Sequence, residues 1–318
     1  MNRAVAARWC AALRFACLVL VLVLPLPAAW AAGYALLVGV NEVAALPPRL
    51  RLRGPANDVG LMRQALVARG LPAHNITVLA QRSPVATAAP THAEVRGAMD
   101  RIAKAVREGD TVVLHLAGHG VQVPQLAPLR EGAALEPDGL DEVFLLQDSG
   151  TWDATLAELP RTLRDDDIGA WIDTLVDRGA RVFAIFDSCH AAGLAREPAS
   201  YARWRAIAGA ELGIPTMKAL DAPAGRLPRS SLQPRTDGRV LAYAARGHEL
   251  AGEEWLPKGA SLASARVQGV FSFEVADALV SGARTANDLT GALRERYAAA
   301  RRTSPTPLVA GHGPLFVP

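Results

Sequence analysis

The sequence predicts an α/β fold with a mainly parallel central sheet and helices on both faces. Apolar runs of strand length alternate with segments of helical periodicity along the chain, and this alternation is typical of α/β proteins. Two of the runs, Val112–Leu116 and Val182–Phe186, are continuously apolar or nearly so. Strands of a parallel sheet that is covered on both faces have this composition, because neither face meets water.

Each element follows from its local pattern. The predicted strands are Tyr34–Val40, Ile76–Ala80, Thr111–Ala117, Val143–Leu146, Arg181–Phe186 and Val240–Ala244. The predicted helices are Pro55–Arg69, Thr91–Arg107, Asp165–Asp177, Ser272–Val280 and Thr285–Arg301, because their apolar residues recur at intervals of three and four.

Two stretches break this pattern. Gln122–Gly139 and Ala195–Asp237 are rich in Pro and Gly and show little periodicity, which predicts loops. The longer one is of a length usually found in functional or partly disordered segments. We expect a single domain, residues 32–318 with the loop 195–237 inserted, because the strands on either side of both stretches look like parts of one sheet.

The first 31 residues predict a secretory signal peptide. Three arginines flank the start of a short apolar run, and the segment ends in Ala29-Trp30-Ala31. A basic start, a short apolar core and small residues at the cleavage point are typical of such signals. We therefore expect an exported protein, periplasmic or secreted, without stable membrane insertion after cleavage. The alternative is an uncleaved N-terminal anchor.

Removing that segment changes what the composition implies. The 318-residue chain has 34 basic and 31 acidic residues and a formal charge of +3, and the segment holds three arginines and no acidic residue. The remaining chain is formally neutral, so we expect no nucleic-acid partner. It also keeps only one of the three cysteines, Cys189. A disulfide scaffold is therefore excluded.

A thiol and an imidazole follow two of the predicted strands. Cys189 comes just after the strand that ends at Phe186, and His119 lies in Gly118-His119-Gly120 after the strand that ends at Ala117. Active sites of open α/β sheets gather at the carboxyl ends of strands. A cysteine and a histidine within reach of each other are the minimum for nucleophilic thiol catalysis. The N–H groups of Gly120 and Cys189 are then candidates to bind the developing oxyanion.

Each of these residues also has a plainer interpretation. A lone cysteine is most often a small buried apolar residue, and His119 fits a turn between glycines. His115, inside a predicted strand, is more typical of a core histidine with a hydrogen-bond partner. His190, next to the thiol, is a poor base, because adjacent side chains seldom face each other. The second Gly-His-Gly, around His312, predicts a turn.

Five short motifs, taken in order, resemble the caspase-fold cysteine peptidases, and among them the metacaspase-like bacterial members. The resemblance runs from about Tyr34 to the C-terminus. The motifs are Tyr34–Asn41, Leu52–Asp58, His115–Gly120, Asp138–Glu142 and Asp187–Gly193. The Gln-Ala-Cys-x-Gly signature of caspases is absent, and Asp-Ser-Cys-His stands in its place.

The resemblance implies a caspase-like three-layer sandwich, with Cys189 as nucleophile and His119 as its partner. It also implies a polypeptide substrate and an acidic specificity pocket with Asp58 and Asp187 at the matching positions. Two carboxylates in a recess would select Arg or Lys, with Arg pairing in a bidentate manner. The alternative for Asp58 is that Asn57-Asp58 caps the helix that follows. Ala117 replaces a serine found in many relatives, so one donor of the pocket is missing.

Three further points stay open at this level. Some metacaspases need calcium, and Asp138, Asp141 and Glu142 match part of their acidic cluster, but a solvated acidic loop explains these residues as well. We therefore assign no metal ligand and no cofactor. The long segment 195–237 is equally interpretable as an ordinary insert or as the place where a basic-specific peptidase cuts itself. The competing function is a catalytically inactive caspase-fold binding or scaffold protein, which the Ala117 departure favours.

Overall fold

The computed structural model describes residues 31–125, 139–188, 203–215, 237–246, 249–261 and 263–316. It contains twelve strands within these ranges. They are β1 (Gly33–Gly39), β2 (Ile76–Ala80), β3 (Thr111–Ala117), β4 (Gly120–Pro124), β5 (Leu140–Leu145), β6 (Thr162–Arg164), β7 (Arg181–Asp187), β8 (Arg203–Trp204), β9 (Arg239–Tyr243), β10 (Gly252–Leu256), β11 (Arg266–Gly269) and β12 (Leu308–Gly311).

Five α-helices connect them in the described ranges. They are α1 (Pro55–Ala68), α2 (His92–Ala105), α3 (Asp165–Asp177), α4 (Val270–Val280) and α5 (Ala286–Ala299). All five lie within two residues of the predicted bounds. The Thr91 hydroxyl accepts a hydrogen bond from the N–H of Glu94 and so caps α2 as its sequence indicates.

The central sheet has six strands in the order β12-β9-β7-β3-β1-β2. All neighbours in it run parallel except β12, which pairs antiparallel with β9 at the edge. Strands from both sides of the long segment 195–237 therefore belong to this one sheet. Two three-stranded sheets, β4-β5-β6 and β8-β10-β11, lie outside it.

Helices cover both faces of the central sheet, as predicted. Leu37 and Val113 point to one face, where they pack with buried residues of α1, α4 and α5. The next residues along the strands point the other way and pack with α2 and α3. Both faces are buried, which explains the continuous apolar runs of β3 and β7. The α/β three-layer sandwich is thereby confirmed.

Three details of the sequence prediction were wrong. The strand predicted at 143–146 is part of β5, which pairs antiparallel outside the central sheet. Gln122–Pro124, predicted as loop, lies in β4 and pairs with β5. The described part of the segment 195–237 contains β8 and a 3₁₀ turn at Gly209–Leu212. Such short elements carry too few residues for periodicity to show, and tertiary pairing determines them.

Candidate active site

The carboxyl ends of β3 and β7 lie side by side in the sheet. The two strands pair in register from Thr111 to Ala117, so that Ala117 is opposite Asp187. The N–H of Gly118 donates to the Asp187 carbonyl oxygen over 3.3 Å. The chain therefore leaves the sheet at neighbouring points on its way to His119 and to Ser188. Cys189, the predicted nucleophile, lies outside the described residues.

His119 is 2% exposed, and one of its ring nitrogens is fixed. Nε2 lies 2.7 Å from the carbonyl oxygen of Leu50. Because a carbonyl oxygen only accepts, Nε2 carries the proton in the neutral ring, and Nδ1 is left as the basic nitrogen. Nδ1 is buried and has no hydrogen-bond partner among the described residues.

The environment keeps this imidazole neutral. The pKa of His119 is lowered to about 4, mainly by burial and also by repulsion from the Arg205 guanidinium. The hydrogen bond to Leu50 and the nearby backbone of Arg205 act in the opposite direction. Nδ1 therefore has a lone pair free to accept a hydrogen bond, whereas the same burial disfavours the protonated ring.

Gly120, the predicted oxyanion donor, begins β4 next to His119. Its N–H donates to the carbonyl oxygen of Arg205 over 3.0 Å. The donor is therefore engaged by a residue from the segment 195–237 rather than exposed to a crevice.

Asp58 lies in the first turn of α1 and is completely buried. Its Oδ1 accepts from the N–H of Gly269 over 2.9 Å, and its Oδ2 accepts from Arg205. The N-cap residue of α1 is Gly54, which has no side chain that could accept a hydrogen bond from the helix. The Glu253 carboxylate instead accepts from the N–H groups of Arg53 and Gly54, at 2.9 Å and 2.8 Å. The alternative that Asp58 caps its own helix is therefore wrong.

Asp187, the last residue of β7, is also completely buried. Its Oδ2 accepts from the backbone N–H and the hydroxyl of Ser272, at 2.9 Å and 2.6 Å. Ser272 Oγ also lies 2.8 Å from Nε2 of His115, which is buried in β3. His115 is thus a core histidine with a hydrogen-bond partner, as predicted, and it supports the Ser272 hydroxyl that holds Asp187.

Asp58 and Asp187 meet around the guanidinium of Arg205. Nη2 of Arg205 bonds to Asp58 and lies 3.4 Å from Oε1 of Glu253. Nη1 lies 3.1 Å from Oδ2 of Asp187 and donates to its carbonyl oxygen over 3.0 Å. None of the four side chains is more than 1% exposed. We call Asp58, Asp187 and Glu253 together the acidic pocket.

The acidic pocket has more negative charge than Arg205 neutralises. The pKa of Asp58 is raised to about 7, mainly because this carboxyl group is buried. The nearby carboxylates of Asp187 and Glu253 also raise it, whereas the attraction of Arg205 lowers it. Burial alone would lower the pKa of Arg205, but the three carboxylates raise it above its ordinary value. Arg205 is therefore a cation held by excess negative charge.

Sequence reasoning missed two members of this cluster. The sequence patterns single out neither Glu253 nor Arg205, which lies within the segment 195–237. No local pattern indicates either role, because Arg205 and Asp58 are 147 positions apart. Glu253 is positioned by the pairing of β10 with β11, in which it lies opposite Gly269 at the end of β11.

Two of the three acidic residues considered for calcium, Asp141 and Glu142, have other partners. Asp141 pairs with the buried Arg164 at 2.5 Å and accepts from Gln125 over 2.8 Å. Glu142 accepts from Gln122 over 3.0 Å, and Asp138 lies outside the described residues. In the part of the chain that is described, no three His, Cys, Asp or Glu side chains are grouped to hold a metal ion. Asp141 and Glu142 are thus engaged by protein partners, and no step is derived through calcium.

In the described ranges, no helix combines the length and the apolar character that a membrane crossing requires.

Known proteins with similar sequences match about half of the chain. Metacaspase-1 of Candida albicans is 34% identical over 167 residues, which are 52% of this chain and 35% of that protein. Metacaspase-4 of Arabidopsis thaliana is 32% identical over 164 residues, 51% of this chain and 34% of that protein. The matched part thus spans about a third of the length of these curated relatives.

A solved structure shares the fold over more of the chain. Protein GSU0716 of Geobacter sulfurreducens matches with a TM-score of 0.55 at 22% identity, and the match covers 88% of this chain and 94% of that one. The model of the metacaspase peptidase C14 domain matches residues 34–197, slightly more than half of the sequence and including His119, Asp187 and Cys189. The chain therefore belongs to the metacaspase family of C14 peptidases.

Proposed function

We propose that the protein is a cysteine endopeptidase that uses His119 and Cys189 and cleaves after Arg or Lys. The observation that carries the proposal is the state of His119. Leu50 fixes the proton on Nε2, and the basic Nδ1 is left without a partner among the described residues. This imidazole follows β3, next to the strand that leads directly to Ser188-Cys189.

The reaction needs no group beyond these residues and water. The Cys189 thiol transfers its proton to Nδ1 of His119, and the thiolate attacks the carbonyl carbon of the substrate. The N–H groups of Cys189 and of Gly120, the latter after its bond to the Arg205 carbonyl oxygen is broken, bind the oxyanion. The carbon–nitrogen bond breaks as His119 protonates the departing amine. Water, deprotonated by His119, then hydrolyses the thioester and regenerates the thiol.

The acidic pocket supports the preference for basic side chains. Asp58 and Asp187 are brought together from distant parts of the chain, and both contact one guanidinium. A recess that already accommodates the side chain of Arg205 has the charge and the shape to accommodate a substrate arginine. An aspartate side chain would meet only repulsion there.

Reporter peptides that end in Arg, Lys or Asp test the proposal. We expect His119→Ala to lower kcat/KM on Arg reporters by a factor on the order of 10² to 10⁴, the usual contribution of a general base. Cys189→Ala should abolish turnover. His312→Ala is the matched control, because His312 also lies between two glycines but is exposed at the end of β12. Activity on Asp reporters alone, or activity that survives Cys189→Ala, contradicts the proposal.

The second candidate is a caspase-fold binding protein without turnover. It is favoured by one observation, the occupation of both the acidic pocket and the Gly120 N–H by Arg205. A thiol-reactive peptidyl probe separates the two candidates. Labelling of Cys189 that requires His119 supports the peptidase, whereas labelling independent of His119 supports the binding protein.

The proposal places the peptidase outside the cytoplasm, acting on polypeptides there. Its support is the pattern of the first 31 residues. The mass and N-terminal sequence of the protein recovered from the expressing cell test it, with a new N-terminus at Ala32 as the expected result. An intact Met1 terminus in the recovered protein is the contrary result.

A further inference from the structure

The main-chain nitrogen of Ala32 is bonded to a buried carboxylate. Ala32 lies just before β1, and its N–H donates to Oδ1 of Asp110 over 2.7 Å. Asp110 lies just before β3 and is 5% exposed. The N–H of Thr111 donates in turn to the Ala32 carbonyl oxygen over 2.9 Å. These two bonds fix the position of Ala32 at the start of the pairing between β1 and β3.

The charge of Asp110 is not balanced by a basic side chain in the part of the chain that is described. Its Oδ2 accepts from the N–H of Arg107 over 2.8 Å, so both carboxylate oxygens are bonded to main-chain amides. Amides are neutral donors, and burying a carboxylate is costly unless a cation is paired with it. The chemistry of this site therefore favours a cationic donor in place of one of the two amides.

The cleavage point that the sequence predicts makes one of these amides a cation. The signal segment, residues 1–31, ends in Ala29-Trp30-Ala31, and its removal makes Ala32 the first residue. Ala31 is exposed and Ala32 is half-buried. The cleavage pattern depends on the residues of the signal segment, whereas the bond to Asp110 depends on the folded strands. Two independent observations therefore select the same nitrogen atom.

We propose that Asp110 is the binding site for the amino terminus that removal of the signal segment creates. The inference rests on the processing proposed above and adds its consequence for the fold. Hydrolysis of the bond between Ala31 and Ala32 consumes one water molecule. The carbonyl carbon of Ala31 takes the oxygen and leaves as a carboxylate, and the nitrogen of Ala32 becomes an ammonium group.

The new ammonium group keeps the contact that the amide made. One of its N–H groups donates to Oδ1 of Asp110, and donor and acceptor are then both charged. Its other N–H groups are hydrated, because Ala32 is only half-buried. β1 and β3 are paired in register from Gly33 to Gly39, and β3 leads to His119 at its far end. Processing thus anchors the strand that precedes the catalytic histidine.

Two chains that differ by one residue test the inference. One begins at Ala32 and the other at Ala31, and both contain every described strand and helix. Each is compared with its Asp110→Asn variant by urea unfolding at about pH 6, where an amino terminus is protonated. In the longer chain the nitrogen of Ala32 is still an amide, and the ammonium group lies on the exposed Ala31.

The effect of Asp110→Asn should depend on where the chain begins. Hydrogen bonds between charged groups are stronger than those of a neutral amide, so we expect the substitution to raise the equilibrium constant for unfolding about tenfold more in the chain that begins at Ala32. Any misfit of the asparagine to the N–H of Arg107 is common to both chains and cancels in the comparison. Equal effects in the two chains overturn the inference.

Asp148→Asn is the matched control. Oδ1 of Asp148 also accepts from a main-chain N–H, that of His92, over 2.8 Å, and this N–H is an amide in both chains. We expect the same loss of stability in both. A difference between the chains as large as that for Asp110→Asn would mean that the extra residue changes stability in general, and it would overturn the inference.

Labelling of the terminal amine is a second measurement, which does not require Asp110→Asn to fold. A carboxylate partner keeps the amine protonated and therefore unreactive. With an amine-reactive ester, the Ala32 amine should react about tenfold more slowly in the folded chain than in the chain unfolded by urea. The Ala31 amine of the longer chain should show a clearly smaller ratio. Equal ratios for the two amines overturn the inference.

The terminus of the exported protein separates this inference from the proposed processing. A terminus at Ala32 whose stability and labelling do not depend on Asp110 rejects the inference and leaves the processing in place. A terminus at any other residue rejects both. Dependence on Asp110 in the protein that begins at Ala32 supports the inference whether or not the protein turns over a reporter peptide.

Discussion

Two buried arginines, Arg205 and Arg239, show how differently one side chain is used in this fold. Arg239 begins β9, between β7 and β12 in the central sheet, and pairs with Asp173, whose side chain is 41% exposed. Arg205 follows a two-residue edge strand and meets three carboxylates that are at most 1% exposed. Arg239 ties a helix to the sheet, whereas Arg205 is held by surplus charge, as a ligand is.

The largest expected effect distinguishes the two arginines by stability. Arg205→Ala leaves buried carboxylates without a counter-charge, and breaking such a pair costs about 3–5 kcal/mol. Arg239→Ala should cost about 1 kcal/mol, the ordinary value for single substitutions, because Asp173 is open to water. Urea unfolding of the two variants measures the difference. Equal losses would mean that the surplus charge around Arg205 has no energetic consequence.

A smaller effect is expected at Ser272, which supports only the Arg205 site. Ser272→Ala removes both hydrogen bonds of the hydroxyl, to Asp187 and to His115. Leaving such groups unsatisfied costs about 1–3 kcal/mol. Thr174→Ala, on the exposed face of α3, removes one bond to the Ala170 carbonyl oxygen and should change stability by about 0.5 kcal/mol or less. The same unfolding assay compares them, and a loss at Ser272 no larger than at Thr174 would contradict the supporting role.

The third effect depends on pH and involves His115. Burial, and after it Arg205, lowers the pKa of His115 from 6.5 to about 3. Between pH 6.5 and about pH 3, His115 is protonated in the unfolded chain but stays neutral in the folded chain. The contribution of the neutral His115 to the free energy of unfolding is therefore complete above pH 6.5 and is lost as the pH falls from 6.5 towards 3. Wild type should lose stability relative to His115→Gln by about 1.4 kcal/mol per pH unit.

Unfolding free energies of the two proteins at several acidic pH values check this slope. Asp58 and Asp165 titrate in the opposite direction, because burial raises their pKa values to about 7 and about 8. Wild type and His115→Gln both contain these two carboxylates. Subtracting their free energies of unfolding therefore removes the contribution of Asp58 and Asp165. A pH-independent difference would mean that His115 is protonated equally well in the folded and unfolded chains.

The sequence was sufficient for five of the six strands of the central sheet, for the helices and for part of the site, whereas the edge strand β12 was not predicted. The continuous apolar runs of β3 and β7 predict both strands. Their parallel pairing places His119 next to the strand that leads to Cys189. Asp187 directly follows the predicted strand, but its place in the pocket is implied by the family resemblance rather than by the strand pattern.

The rest of the acidic pocket depends on tertiary pairing that no local pattern encodes. Arg205 reaches it through β8, which is too short to show periodicity, and Glu253 through the pairing of β8 with β10. Both residues lie beyond residue 197, where the family match ends. The cation in the pocket was therefore invisible to motif comparison as well as to periodicity.

The pairing of β7 with β9 has a consequence for the covalent continuity of the chain. These strands are neighbours in the central sheet, yet the whole segment 195–237 separates them along the sequence. β12 joins β9 in that sheet, and α4 and α5 share the core cluster of α1. A nick anywhere in that segment would therefore yield two polypeptides that co-elute as one particle under native conditions and separate only in denaturant.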